Sequence, residues 1–318
     1  MEAQGKMPKL YYINTEKSDP LKKGNAMKVM ILTDSEGPAG VNGRPDAPVG
    51  NTMPNKPTVD IALVNEVNAV CEGLVAAGAD EIVVFDGHGG SNSIDIFKLH
   101  SKASLMQIGN FMPVSWLDGT FDAFIQLGAH AMQHTDGYMC HTYNSHAVQS
   151  MILNGELIGE IGISSYLAAY FKVPTIMVSG DDMACHEARA LLGDDLTVVP
   201  TKSSVNRYTA VNYPVQEVYA NLRAAAEKAL RNLDKSKVLE VPEQLELTVR
   251  MMCPNQTWAA EKLGVERLDE VTLRYVSDDM IDLWAQRLGW APGVHKRKYN
   301  VTPEWKHPHT LAKEAFRE

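Results

Sequence analysis

K-V-M-I-L-T-D-S-E-G, residues Lys28 to Gly37, is the stretch that decides the fold. Its first six residues are apolar on both faces apart from the ends, the pattern of a strand covered on both sides in a parallel sheet. The run stops at two carboxylates, Asp34 and Glu36. Strand side chains alternate between faces, so this spacing predicts that the pair points one way. Two carboxylates held together at a buried strand end repel each other and lose water, and a divalent cation between them relieves both costs.

Working outward, Leu63, Val67, Val70 and Leu74 have helical spacing, and Gly78 supplies a stop. A second apolar strand, E-I-V-V-F-D at 81–86, breaks into G-H-G-G and puts His88 just past its end. Strand, helix and strand make a right-handed β-α-β unit, so His88 lies at the same sheet edge as Asp34 and Glu36. Ligands of open α/β sheets gather at that edge. A third run, F-D-A-F-I-Q-L-G at 121–128, leads to His130 in the same way. Four of the ten histidines (His130, His134, His141, His146) fall within seventeen residues.

The rest of the chain frames this cluster. Residues 37–57 hold Pro38, Pro45, Pro48, Pro54 and Pro57 and read as a lid or rim over the strand end. A strand-like segment around Met139 to His141 places Cys140 on the face opposite His141, which argues against a Cys–His nucleophile pair. A helix is predicted over 157–171 with Glu160 near its start, then a buried strand at 173–180 and a helix capped by Asp181 or Asp182. Beyond residue 200 the pattern changes to an amphipathic helix, an alternating strand, and further short elements. The predicted organisation is an extension at 1–26, an α/β metal-binding domain at 27–200, a smaller α+β domain at 201–290 and a polar tail at 291–318. The fold class is therefore α/β, a mainly parallel sheet with flanking helices plus a smaller α+β C-terminal domain. In the tail, His307 and His309 are expected to be solvated.

Composition narrows the function. With 45% hydrophobic and 22% charged residues the chain is an ordinary globular protein. A net charge of −9 without a basic stripe argues against nucleic acid. No apolar run of about 18 residues is present to span a membrane, and the first 26 residues lack a secretory apolar core. Four cysteines without C-x-x-C spacing read as reduced thiols, which points to the cytoplasm.

The candidate ligands are Asp34, Glu36, His88, His130 and Glu160. Mixed carboxylate and imidazole donors suit zinc, manganese or cobalt. Five ligands exceed the three of a single catalytic zinc, so two metals sharing one carboxylate fit the count, with Asp34 the better bridge. Metals about 3.5–4 Å apart activate water and polarise a carbonyl or phosphoryl oxygen. Spacing leaves Glu156, one turn before Glu160, as an equal alternative. His141 is either an acid–base group or an outer residue, and Asp86 is placed to orient His88. His134 and His146 read as structural.

In order, T-D-S-E-G, D-G-H, L-G-A-H-A, M-C-H-T and I-G-E-I-G resemble the D-aminopeptidases of the DppA type, peptidase family M55, over Lys28 to Leu192. The resemblance implies two zinc ions bridged by Asp34. Glu36 and His88 would complete one site, and His130 and Glu160 the other, which decides for Glu160 over Glu156. His141 matches the family's catalytic histidine. It further implies cleavage of an amino-terminal residue, such as D-Ala, from short peptides by metal-activated water. A self-compartmentalising homo-oligomer follows too, a decamer of two pentamers. Two departures are Thr33, where the family commonly has serine, and the added terminal segments. A dinuclear phosphoesterase would use similar ligands but needs a cation near the transferred group, and only Arg44 in the long loop offers one. A non-catalytic metal- or peptide-binding protein is the third reading.

Overall fold

The computed structural model describes residues 26–44, 53–89, 92–108 and 114–315. Nearly all of the expected N-terminal extension, and Pro45 and Pro48 of the proline-rich loop, lie outside the described residues.

Two sheets organise the chain. The larger contains β1 (Lys28–Thr33), β2 (Glu81–Asp86), β3 (Ala103–Met106) and β4 (Ala123–Ala129). The smaller takes β5 (Val148–Leu153) and β6 (Glu156–Leu157), after which β7 (Thr175–Asp181), β8 (Thr197–Asn206) and β9 (Thr209–Asn212) return to the larger. β10 (Leu245–Met251), β11 (Glu266–Arg267) and β12 (Thr272–Ser277) complete the smaller sheet. The larger sheet runs β3-β2-β1-β4-β7-β8-β9 and is parallel except for β9, and the smaller runs β11-β12-β10-β5-β6 and is antiparallel. The helices are α1 (Lys56–Ala76), α2 (Glu160–Tyr170), α3 (Asp182–Leu192), α4 (Val215–Arg231), α5 (Trp258–Lys262), α6 (Met280–Arg287), α7 (Val294–Tyr299) and α8 (Pro308–Ala315).

The two-faced apolar character of β1 has a direct structural counterpart. Val29 and Ile31 join Leu63, Val67 and Leu74 of α1 and Leu222 of α4 in one core. Met30 faces the other way, into a core with Phe124, Trp116, Leu167 of α2, Leu247 of β10 and Trp284 of α6. Each of these buried side chains contributes about 1.5–3 kcal/mol. Gly73 lets α1 and α4 touch, because a Cβ there would stand 2.1 Å from the Arg223 carbonyl oxygen.

Sequence order and spatial order part company in several places. The expected boundary at residue 200 falls inside β8, and α4 packs on α1 against the larger sheet. Conversely β5 and β6 leave the first 200 residues to join the smaller sheet. Residues 139–141 form a turn rather than a strand, with Met139 at φ 51°. The helix predicted from 157 begins at Glu160. Asp181 caps α3, accepting the Met183 and Ala184 N–H groups. The tail docks rather than floating free: the His307 N–H donates to Asp118 at 2.6 Å, and Lys313 pairs with Glu81 at 2.7 Å. His307 and His309 are accordingly half-buried. Among the described residues, no helix is long and apolar enough to cross a membrane.

Candidate metal centre

Parallel register brings the candidate residues together. Thr33, the last residue of β1, lies opposite Asp86 of β2 on one side and Leu127 of β4 on the other. The segments that follow these strands therefore emerge side by side, carrying Asp34 and Glu36, His88, and His130. The strand order reverses between β1 and β4, so this is also the switch point at which α/β sheets form their crevices.

Asp34 and Glu36 do converge, but through a bend and not a strand. The Asp34 N–H donates to the Leu127 carbonyl and the Gly37 N–H to the Gly128 carbonyl, both at 2.8 Å. Gly37 is required there, since a Cβ would meet the Ala129 carbonyl oxygen at 2.2 Å. Between them the Ser35 N–H donates to Asp34 Oδ1 at 2.8 Å and Glu36 Oε2 at 3.2 Å, which turns both carboxylates to one side.

The donors fall into two groups around Asp34. His88 Nδ1 lies 2.8 Å from Asp34 Oδ1 and 3.2 Å from Glu36 Oε2. His130 Nε2 lies 3.3 Å from Asp34 Oδ2 and 3.2 Å from Glu160 Oε1. Asp34, Glu36 and His88 form one set with donor atoms within 4.8 Å of one another, Asp34, His130 and Glu160 a second, and Glu36, His130 and His141 a third. The bond from His130 Nδ1 to the Ala131 carbonyl, 3.0 Å, leaves Nε2 to face the carboxylates. Glu160 opens α2 and accepts the Tyr143 N–H at 2.7 Å. Glu156, its rival by spacing, is exposed on β6.

Electrostatics describe a site built for cations. Burial opposes ionisation of Asp34, but the His88 hydrogen bond and the charges of His130 and His88 hold its carboxyl well below the usual range. Burial likewise opposes charging of His88 and His130, yet Glu36 and Glu160 respectively push them well above the usual imidazole value. Three carboxylates facing two imidazoles need compensating positive charge, and the donor set fits a borderline divalent metal.

His141 is buried and stacked on His130, with ring centroids 4.0 Å apart. Its Nδ1 is 2.8 Å from the Met139 carbonyl, which fixes Nε2 as the free lone pair. Burial and the His130 charge lower its pKa. Cys140 points elsewhere, its thiol meeting the Thr135 carbonyl. Asp86, expected to orient His88, accepts the Ser93 and Ile94 N–H groups and shapes the loop beyond. His134 and His146 are exposed, His146 on the rim of the cavity.

Residues outside the predicted set also build the site. A cavity of about 400 Å³ opens beside the donors, with Leu32, Phe85, Trp116, Leu167 and Trp284 among its apolar walls. Met53 and Pro54, from the proline-rich segment, line it as a rim would. Behind the His130 loop, Asp181 accepts the Ala131 N–H at 3.2 Å and Glu187 the Met132 N–H at 2.7 Å. Burial pushes Glu187 up to about 7. A carboxylate in mid-helix carries no signal in sequence that would single it out.

Fold and donor set together place a candidate divalent-metal site, built of carboxylates and imidazoles, at the switch point of an α/β sheet. A family model described as D-aminopeptidase, Peptidase_M55, matches residues 27–287, and the chain belongs to that family. It is 29% identical over 267 residues to a D-aminopeptidase of Bacillus subtilis (strain 168), covering 82% of this chain and 96% of that protein. Among solved structures it is similar to the Zn-dependent D-aminopeptidase DppA from Bacillus subtilis, described as a self-compartmentalizing protease. That likeness has a TM-score of 0.74 and 28% identity, over 82% of this chain and 96% of the other.

Proposed function

We propose that this chain is a dinuclear zinc aminopeptidase that removes an amino-terminal D-residue, such as D-Ala, from short peptides or amides. One observation carries the two-metal reading: the two oxygens of Asp34 are divided, Oδ1 toward His88 and Oδ2 toward His130. Glu36 and His88 would complete one site, and His130 and Glu160 the other. Zinc bound there would supply Lewis acidity and a water of lowered pKa.

The remaining work falls to the chain. His141, held by the Met139 carbonyl with Nε2 free, accepts a proton from the attacking water and returns it to the leaving amine. The apolar cavity walls exclude bulk water and accommodate the substrate beside the donors. Among the described residues lining the cavity there is no Arg or Lys, and Arg44 is exposed and not one of them. That favours an amide over a phosphate ester, whose transferred group needs cationic donors. Preference for D-residues and assembly into a homo-oligomer rest on the likeness to the Bacillus subtilis enzyme. Four free cysteines, Cys71, Cys140 and Cys185 buried and Cys253 exposed, accord with a cytoplasmic location.

The test is hydrolysis of D-Ala and L-Ala amides by the purified protein, before and after chelation. Activity on the D-amide that is lost to chelator and restored by zinc supports the proposal. Zinc-restored activity confined to phosphate esters would replace it with the phosphoesterase reading.

A further inference from the structure

Residues 34–43 carry two of the five ligand candidates, yet they form no strand or helix beyond a single bridge at Gly43. A ligand on such a loop is held only as well as its backbone is held. Here the backbone is tied from beneath by buried side chains. Lys202 of β8 is 0% exposed, and its Nζ donates to the Glu36 carbonyl at 2.9 Å and the Val41 carbonyl at 3.1 Å. Glu66 of α1, also 0% exposed, accepts the Ala39 N–H at 2.7 Å. Tyr138 lies under the same ammonium, 5.0 Å from Nζ to ring centroid, and its hydroxyl accepts the Gly43 N–H at 3.1 Å. Thr201, next to Lys202, donates to the Gly37 carbonyl.

A completely buried ammonium is an expensive way to satisfy two carbonyls, since its desolvation costs several kcal/mol. A neutral donor would serve if hydrogen bonding were the only requirement. What the ammonium adds is charge, and it sits within electrostatic reach of Glu36, Glu66 and Asp181, under a site where carboxylates crowd. We infer that Lys202 is a positioning residue for the Glu36–His88 half of the centre, fixing the Glu36 backbone and offsetting carboxylate repulsion so that this half is formed before metal arrives. Its Nζ is spent on carbonyls, so it is neither a ligand nor a catalytic residue. The inference rests on the two-zinc reading of the site.

The test uses the full-length protein with Lys202→Met, and with Lys202→Gln, which keeps a donor and removes the charge. Zinc affinities are measured by competition with a chromogenic chelator, alongside kcat and KM for D-Ala amide and thermal unfolding of the zinc-free protein. The expected result is a weakening of one zinc equivalent by about 10- to 100-fold, the usual cost of losing support behind a ligand. The second equivalent stays near the wild-type value, and kcat falls more than KM changes. Equal weakening of both equivalents would reduce Lys202 to a general structural residue and overturn the inference, whatever the melting temperature does. Unchanged zinc affinities and kcat would overturn it too. Should the methionine variant fail to fold, the glutamine variant gives the same readout. A wild-type protein that binds a single zinc refutes the two-metal reading, and the role of Lys202 is then decided by whether that one affinity drops.

Discussion

Replacing His141 with alanine separates the chemistry from the metal scaffold. The imidazole is buried, its Nδ1 faces the Met139 carbonyl at 2.8 Å, and its Nε2 is free to exchange a proton. Burial and the neighbouring His130 lower its pKa from 6.5, so the neutral form that acts as a base prevails at neutral pH. Removing a positioned acid–base group costs about 10²- to 10⁴-fold in rate, which corresponds to roughly 3–5 kcal/mol of barrier. His141→Ala should therefore lower kcat for a D-Ala amide by about 10²-fold or more while zinc content stays at the wild-type value. The ring also stacks on His130 at 4.0 Å, so metal content must be measured on the same sample. The pH profile gives a second readout. Wild-type kcat/KM should fall on the acid side as His141 takes up a proton, and the variant should lack that limb. Loss of a zinc from His141→Ala would refute the assignment and make His141 a ligand, through its grouping with Glu36 and His130. Turnover unchanged at full zinc content would refute it as well.

Other consequences follow from the same geometry. Asp34→Asn removes the charge that faces both His88 and His130, and should cost both zinc equivalents where Glu160→Gln costs chiefly one; metal analysis after dialysis distinguishes the two patterns. Glu66 is 0% exposed, and burial raises its pKa from 4.5 to about 8. Its folded-state pKa lies above the unfolded value, so its contribution to stability is full below about pH 4.5 and is lost as pH rises through about 8. The integrated effect is on the order of 3–5 kcal/mol. In zinc-free protein, Glu66→Gln should thus gain stability relative to wild type between those limits, as read by denaturant unfolding across pH; a constant difference would contradict the shift. Gly180→Ala should destabilise by roughly 2–3 kcal/mol or prevent folding, because a Cβ would stand 2.0 Å from the Ala129 carbonyl oxygen; an unchanged melting temperature would contradict that contact.

Much of the site is legible in sequence because its residues follow strands. Continuous apolar runs at Lys28–Thr33 and Glu81–Asp86 mark parallel strands buried on both faces, and parallel register then aligns whatever comes after them. Asp34, Glu36, His88 and His130 are readable for that reason. Glu160 is not, because helical spacing treats Glu156 as its equal. The missing signal is Asn154-Gly155: both residues have positive φ, 48° and 90°, and they turn the β5–β6 hairpin that carries Glu156 off to the surface. The boundary expected at residue 200 falls inside β8, which pairs with β7, because a change of composition does not record which sheet a strand joins. Lys202 and Glu66 are the least legible of all. A lysine in a strand and a glutamate in a helix ordinarily face water, and only the packing of α1 and β8 around residues 36–43 reveals otherwise.

Whether Asp34 joins two metal sites, as proposed, is read from anomalous diffraction at the zinc absorption edge from crystals of the zinc-loaded protein. The expected map shows two peaks per chain, about 3.5–4 Å apart, with Asp34 between them, His88 and Glu36 on one and His130 and Glu160 on the other. A single peak, or two peaks that do not share Asp34, would contradict it.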